Sequence, residues 1–135
     1  MWKYKGKEIK TINDMPKDSY GFVYEIKHIP TGKKYLGKKV LQFNRTLPPL
    51  KGTKRKRKVV KESDWLTYYG SHPEITTLIK EGKSLEFERE IIIFTNSKKL
   101  LTYFEIKYQM IKEVLESDDY LNYNILGKFF SKDFK

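Results

Sequence analysis

The 135-residue sequence predicts an α+β fold, a small, mostly antiparallel three-stranded sheet flanked by helices. Three patterns carry that expectation. Tyr20 to His28 and Leu85 to Thr95 alternate with the period of a strand, and Lys98 to Glu116 repeats apolar residues at spacings of three and four. Ten Tyr, eight Phe and two Trp supply core-sized side chains, and the length fits one domain spanning 1–135. The same composition argues against intrinsic disorder.

The first strand sets Tyr20, Phe22, Tyr24 and Ile26 against Gly21, Val23, Glu25 and Lys27. Ile29-Pro30-Thr31-Gly32 has turn chemistry, and Lys33 to Leu36 is expected to return as the second strand of a hairpin closed at Gly37, putting Tyr24 and Tyr35 on neighbouring strands. Asn44 to Thr53, with Pro48-Pro49 and Gly52, reads as a loop. The basic run after it repels itself too strongly to pack inside, so an exposed, mobile arm is expected.

Ser63 to Leu66 opens a short helical turn, and Ser71 or His72 before Pro73 starts a helix that ends at Gly82. Leu85 to Thr95 supplies the third strand, becoming wholly apolar from Ile91 to Phe94. Ser97 caps the longest helix, Lys98 to Glu116, in which Leu100, Leu101, Phe104, Tyr108, Ile111 and Leu115 form the apolar stripe. Glu105 lies close to that stripe, four residues after Leu101 and three before Tyr108, an unusual place for a carboxylate. Asp118-Asp119 is expected to end the helix, and Tyr120 to Leu126 to lie back across the domain.

The absence of Cys excludes disulfides, thiolate nucleophiles and Cys-based zinc sites. Two His cannot build a His-rich metal site, and His28 and His72 read as structural or surface residues. No apolar run approaches the roughly 18 to 20 residues that span a bilayer. The start Met1-Trp2-Lys3-Tyr4 has no signal-peptide core, so no membrane partner and a cytoplasmic location are expected.

Charge is the strongest compositional signal. The net charge is +11, and Lys33 to Lys61 holds 12 basic residues within a stretch free of acidic ones from Lys27 to Lys61. The remaining residues nearly balance, so the surplus lies in a segment centred on a basic insertion at about 45–61. Solvated surface faces usually mix signs, so this asymmetry points to a polyanionic partner. Lys38, Lys39, Lys54, Arg55, Lys56, Arg57, Lys58 and Lys61 are the candidate nucleic-acid contacts, the arm tracking the phosphate backbone. A localisation-like basic tag is the alternative.

There is no glycine-rich phosphate loop, no Gly-Lys-Ser/Thr and no His-Glu-x-x-His. What remains is a tyrosine pair on a hairpin, a following arginine, a basic segment and a helical glutamate. Cutting a polyanion needs such parts: a cation for the charge developing on phosphate, a carboxylate for a hard divalent metal, and a group that positions water.

Gly21-Phe22-Val23-Tyr24-Glu25-Ile26 with Gly32-Lys33-Lys34-Tyr35-Leu36-Gly37 resembles the paired motif of the GIY-YIG nuclease superfamily, the tyrosines 11 positions apart and Arg45 a further 10 on. Glu62 to Ser71 and the stretch from Ser97 to Glu105 resemble more narrowly its Seg-type phage homing endonucleases, the likeness covering about residues 20 to 126. The chain departs from the pattern in the first triplet, which reads Phe22-Val23-Tyr24 with its glycine at Gly21. Many members also carry a His where this chain places Tyr68 or Tyr69.

The resemblance implies a Mg²⁺-dependent (or Mn²⁺-dependent) endonuclease that hydrolyses DNA, in duplex form, without a small-molecule cofactor, as a monomer or a dimer on DNA. If the chain is phage-encoded, the compartment is an infected host's cytoplasm. It implies that Glu105 binds the metal, Arg45 stabilises the scissile phosphate, Tyr24 orients or deprotonates the attacking water, and Tyr35 or Tyr69 supports it. Few residues follow the last motif, so long-site specificity is expected from the basic insertion or not at all.

The residues by themselves also allow plainer roles. Glu105 can pair with Lys98 or Lys112 on the surface, Tyr24 and Tyr35 can be strand core, and Asn124, a candidate polar residue near the site, can serve a turn. A noncatalytic nucleic-acid-binding protein and an RNA-directed nuclease are the rival functions.

Overall fold

The computed structural model describes the backbone of residues 1–135 and the side chains of all but Asn44, Arg45 and Lys58. Strands β1 (Trp2–Tyr4), β2 (Lys7–Ile9), β3 (Gly21–His28), β4 (Lys34–Val40) and β7 (Phe87–Thr95) form one sheet in the order β2-β1-β7-β3-β4. The expected hairpin is β3 and β4, with Tyr24 opposite Gly37, and β7 runs antiparallel along the other side of β3.

The fold is α+β as predicted, but the sheet has five strands and is mixed. Trp2 and Lys3 pair in parallel with Arg89 and Glu90, and β2 folds back on β1. Three-residue strands are too short for a period-2 pattern, so Trp2 and Ile9, both buried, gave no signal by alternation. The second strand also runs past Gly37 to Val40, leaving that glycine inside the strand.

Helices cover both faces. Phe22, Tyr24 and Ile26 join Trp2, Trp65 and Ile75 in one core, beneath the 3₁₀ turn Trp65–Thr67 and α1 (Pro73–Lys80). Val23 and Leu36 join Leu101, Val114 and Leu115 in the other, beneath α2 (Lys98–Ile111). The pleat sends successive β3 side chains to opposite faces, so one strand builds both cores.

Helix α2 ends at Ile111, four residues before the apolar periodicity does at Leu115. Glu113 adopts φ 50°, and Glu113 N–H donates to Met110 O at 3.2 Å while Val114 N–H donates to Gln109 O at 3.1 Å. That paired closure terminates a helix, normally with Gly in the left-handed position. Val114 and Leu115 then fold into the core, which explains why their spacing mimics another helical turn. The tail lies across the domain as expected: Lys34 bridges Tyr120, and Leu121 N–H donates to Lys34 O at 2.7 Å.

The expected loop at Asn44 to Thr53 is partly strand. β5 (Gln42–Leu47) and β6 (Arg57–Glu62) pair into a separate antiparallel ribbon, with the proline-containing turn at its tip. A second small pair, β8 (Asn124–Ile125) with β9 (Phe129–Phe130), closes the tail. Among the described residues no helix is long and apolar enough to cross a membrane.

Candidate active site

Tyr24 is 1% exposed, and its ring lies across the backbone of Gly37 on the neighbouring strand. A Cβ at Gly37 would stand 2.7 Å from the Tyr24 Oη and 3.2 Å from Tyr35 Cε1, so no larger residue fits between the two phenols. Gly70, at φ +83°, closes the other side, where a Cβ would come within 3.3 Å of the same oxygen. The Tyr24 ring centroid is 6.4 Å from that of Tyr35 and 5.9 Å from that of Tyr68. Burial pushes the Tyr24 hydroxyl well above the ordinary phenol range, the Tyr68 and Tyr35 phenols adding to the effect. Burial raises Tyr35 too, its hydroxyl lying 3.4 Å from Ser71 Oγ.

Glu105 comes from the opposite face of the sheet. A Cβ on Gly21 would meet Leu101 Cδ2 and the Lys39 carbonyl oxygen, each at 2.6 Å, so this glycine allows α2 to approach β3 and β4 closely. The Glu105 side chain is 20% exposed and lies 3.9 Å from Lys38 Nζ, which also donates to Thr102 Oγ1 at 3.0 Å. Desolvation raises the carboxyl above its ordinary range, with Lys38 opposing the rise. The partner is thus Lys38, not Lys98 or Lys112; Lys112 pairs with Glu25 at 3.4 Å.

These groups meet because β4 is an edge strand. A pocket of about 230 Å³ wraps around that edge, lined by Tyr35, Ser71 and His72 from one face and by Glu105 and Gln109 from the other, with Asn122, Tyr123, Asn124 and Leu126 of the tail closing it. The edge itself is satisfied by side chains. Asn122 Oδ1 accepts from Leu36 N–H at 3.0 Å, and its Nδ2 donates to Leu36 O at 2.8 Å, a carbonyl that also receives Gln109 Nε2 at 3.3 Å.

His72 Nδ1 accepts from Glu74 N–H at 3.2 Å, capping α1, and burial lowers the ring's pKa. It is structural, as expected, but it also lines the pocket. Asn124 does both things foreseen for it, lining the pocket and accepting from Gly127 N–H at 3.1 Å. Ser71, Gln109, Asn122 and Tyr123 are absent from the sequence-derived set. Gln109 alone carried a signal, being four residues after Glu105 and so on the same helix face.

Of the two adjacent tyrosines, the structure brings Tyr68 to the cluster. Tyr69 points to Phe87 and to the Arg89 guanidinium, 4.1 Å from its ring centroid. Adjacent residues of an extended segment face opposite ways, so one of the pair is necessarily turned from Tyr24. Lys39 Nζ lies 4.0 Å from the Tyr68 ring centroid and pairs with Asp64, whose carboxyl it holds low.

Lys54, Arg55, Lys56, Arg57 and Lys61 are exposed on the ribbon, outside the pocket. Arg45 and Lys58 belong to β5 and β6, and their side chains lie outside the described ones.

The family described as "Putative endonuclease segE, GIY-YIG domain" matches residues 2–125. No curated protein and no solved structure matches the chain.

Proposed function

The chain belongs to the GIY-YIG endonuclease family of the segE type, and on that premise we propose that it is a Mg²⁺-dependent endonuclease, of the phage homing type or a near relative. It hydrolyses phosphodiesters of double-stranded DNA in a host cytoplasm, as a monomer or a dimer on its substrate. The observation that carries this reading is the meeting of Tyr35 with half-buried Glu105 in the pocket at the edge of β4, with Tyr24 packed beside Tyr35 and Tyr68 beside Tyr24. A protein that only bound DNA would need cations, not a carboxylate desolvated beside phenols.

The donor set suits a hard divalent ion. Among the described residues no three His, Cys, Asp or Glu cluster, so a protein cage is not on offer, whereas Mg²⁺ commonly binds through one or two carboxylates plus water and phosphate oxygen. Glu105 is the residue that would hold it. When bound, the ion supplies charge neutralisation at the phosphate.

Burial keeps Tyr24 and Tyr35 protonated, so they hold the attacking water by hydrogen bonds. Tyr68 takes the supporting place that the sequence offered to Tyr69. His72 is not the base, because Nδ1 is committed to the α1 cap. Arg45, midway along β5 opposite Val59, is assigned the charge on the scissile phosphate, which a guanidinium meets with two parallel hydrogen bonds. Lys38 balances Glu105 before substrate binds.

Plasmid cleavage with Mg²⁺, with EDTA and with Glu105→Ala tests the reading. Nicking or linearisation that disappears in both controls supports it. Retardation of intact plasmid, equal for wild type and variant, would leave a noncatalytic DNA-binding protein, and preferential cleavage of RNA would move the substrate.

A further inference from the structure

The β5–β6 ribbon has little cover from the rest of the chain. Every described residue from Gln42 to Glu62 is exposed except half-buried Leu47, although a two-stranded ribbon alone in water is marginally stable. Its root is held by Leu41 N–H to Tyr20 O, Ser63 N–H to Leu41 O and Ser63 Oγ to Val40 O. Beyond that root its described side chains stand out from the main sheet into solvent.

Pleat and register divide the ribbon's described residues between two faces. Arg57 and Lys61 lie on one with Phe43 and Val59, while Gln42, Thr46 and Val60 lie on the other with Glu62, which accepts from the Trp65 indole at 2.6 Å. A tether that merely neutralised phosphates would gain nothing by exposing Phe43, Val59 and Val60 to water. An amide, a hydroxyl and a valine in a row are instead the groups that meet base edges and thymine methyls.

The ribbon's root also connects to the pocket region. A groove of about 780 Å³ runs past Phe43, Lys61 and Lys98 to Lys39, the cation that covers the Tyr68 ring; its two carboxylates, Glu62 and Asp64, are engaged by the Trp65 indole and by Lys39. A phosphate backbone lying in this groove would pass from the ribbon to the tyrosine cluster.

We propose that the ribbon enters the major groove of duplex DNA and selects the sequence to be cut, reading base pairs within about one helical turn of the scissile phosphate. The inference rests on the endonuclease reading. The major groove admits a two-stranded ribbon, and six-residue strands reach about 20 Å from the root, which places the contacts close to the cut.

The test uses the full chain in EDTA with duplexes carrying about one helical turn of randomised sequence, bound and free fractions being sequenced. Wild type is expected to enrich a sequence, and methylation of guanine N7 within it to weaken binding about tenfold or more. Gln42→Ala/Thr46→Ala/Val60→Ala, verified as folded by circular dichroism, is expected to lose the enrichment while keeping the salt dependence of binding. No enrichment by wild type, enrichment kept by the triple variant, or interference confined to minor-groove methylation would overturn the proposal. Binding in EDTA does not require turnover, so enrichment without cleavage in Mg²⁺ would count against the endonuclease reading alone.

Discussion

Tyr24 and Glu105 are both costly to ionise where they sit, and the cost has opposite uses. For Tyr24, burial between Gly37 and Gly70 keeps the proton on the phenol and fixes the hydroxyl's direction. Tyr24→Phe conserves the packing and removes only that hydroxyl, so single-turnover cleavage should fall about 10²-fold or more while the fold stays intact. A variant within a few-fold of wild type would remove Tyr24 from the mechanism. For Glu105, desolvation raises the folded-state pKa above the unfolded one. Its contribution to stability is therefore full below the unfolded pKa and lost as pH rises through the folded one. Glu105→Gln should melt above wild type at neutral pH, the gap closing as pH falls through the raised folded-state pKa towards the unfolded value of about 4.3. A melting difference that does not change with pH would mean the carboxyl is not desolvated in solution. Added stability with lost turnover is the signature of a group placed for chemistry.

The short N-terminal strand supports the segment that carries Tyr68. Trp2 on β1 is fully buried, its ring centroid 4.8 Å from that of Phe22 and 5.4 Å from that of Tyr24, and its Nε1 donates to Trp65 O at 2.7 Å. Arg89 on β7 lies 4.7 Å from the Trp2 ring and donates to the carbonyls of Leu66 and Tyr68 at 3.0 and 2.9 Å. The two side chains thus hold residues 65–69 from beneath. Trp2→Ala should cost about 3–5 kcal/mol, read from urea unfolding, as expected for removing a buried aromatic side chain. A loss below about 1 kcal/mol would show that β1 is dispensable to the core.

Across the whole molecule, the surplus behind the net charge of +11 lies in the stretch from Lys33 to Lys61, which builds β4 and the ribbon. The ribbon and its tip hold cations away from the core, and Lys38 and Lys39 bring charge to the edge strand β4, each already beside a carboxylate. The exposed cations should therefore govern affinity for DNA, and the two β4 lysines its placement. Replacing Lys54, Arg55, Lys56 and Arg57 together with Ala should lower the slope of log affinity against log salt by about 3 to 4 if all four contact phosphates. Fluorescence anisotropy across a salt series measures it, and an unchanged slope would take the ribbon off the DNA.

The α+β class, three of the sheet's strands, the tyrosine hairpin and the long helix bearing Glu105 were legible because each is written in local periodicity and spacing. The two short strands, the ribbon and the early end of α2 were not. Three-residue strands show no period, prolines at the tip hid the strands on either side, and Val114 and Leu115 continue a helical spacing after the helix has closed. The sequence by itself determined which chemical groups the protein carries and that its surplus cations lie in one segment. Tertiary structure alone decided that Tyr68 and not Tyr69 faces Tyr24, that Lys38 is the partner of Glu105, and that Gln109 and Asn122 hold the backbone of Leu36. Those outcomes depend on which strand forms the edge of the sheet, and around that edge residues from opposite faces meet although no local pattern relates them.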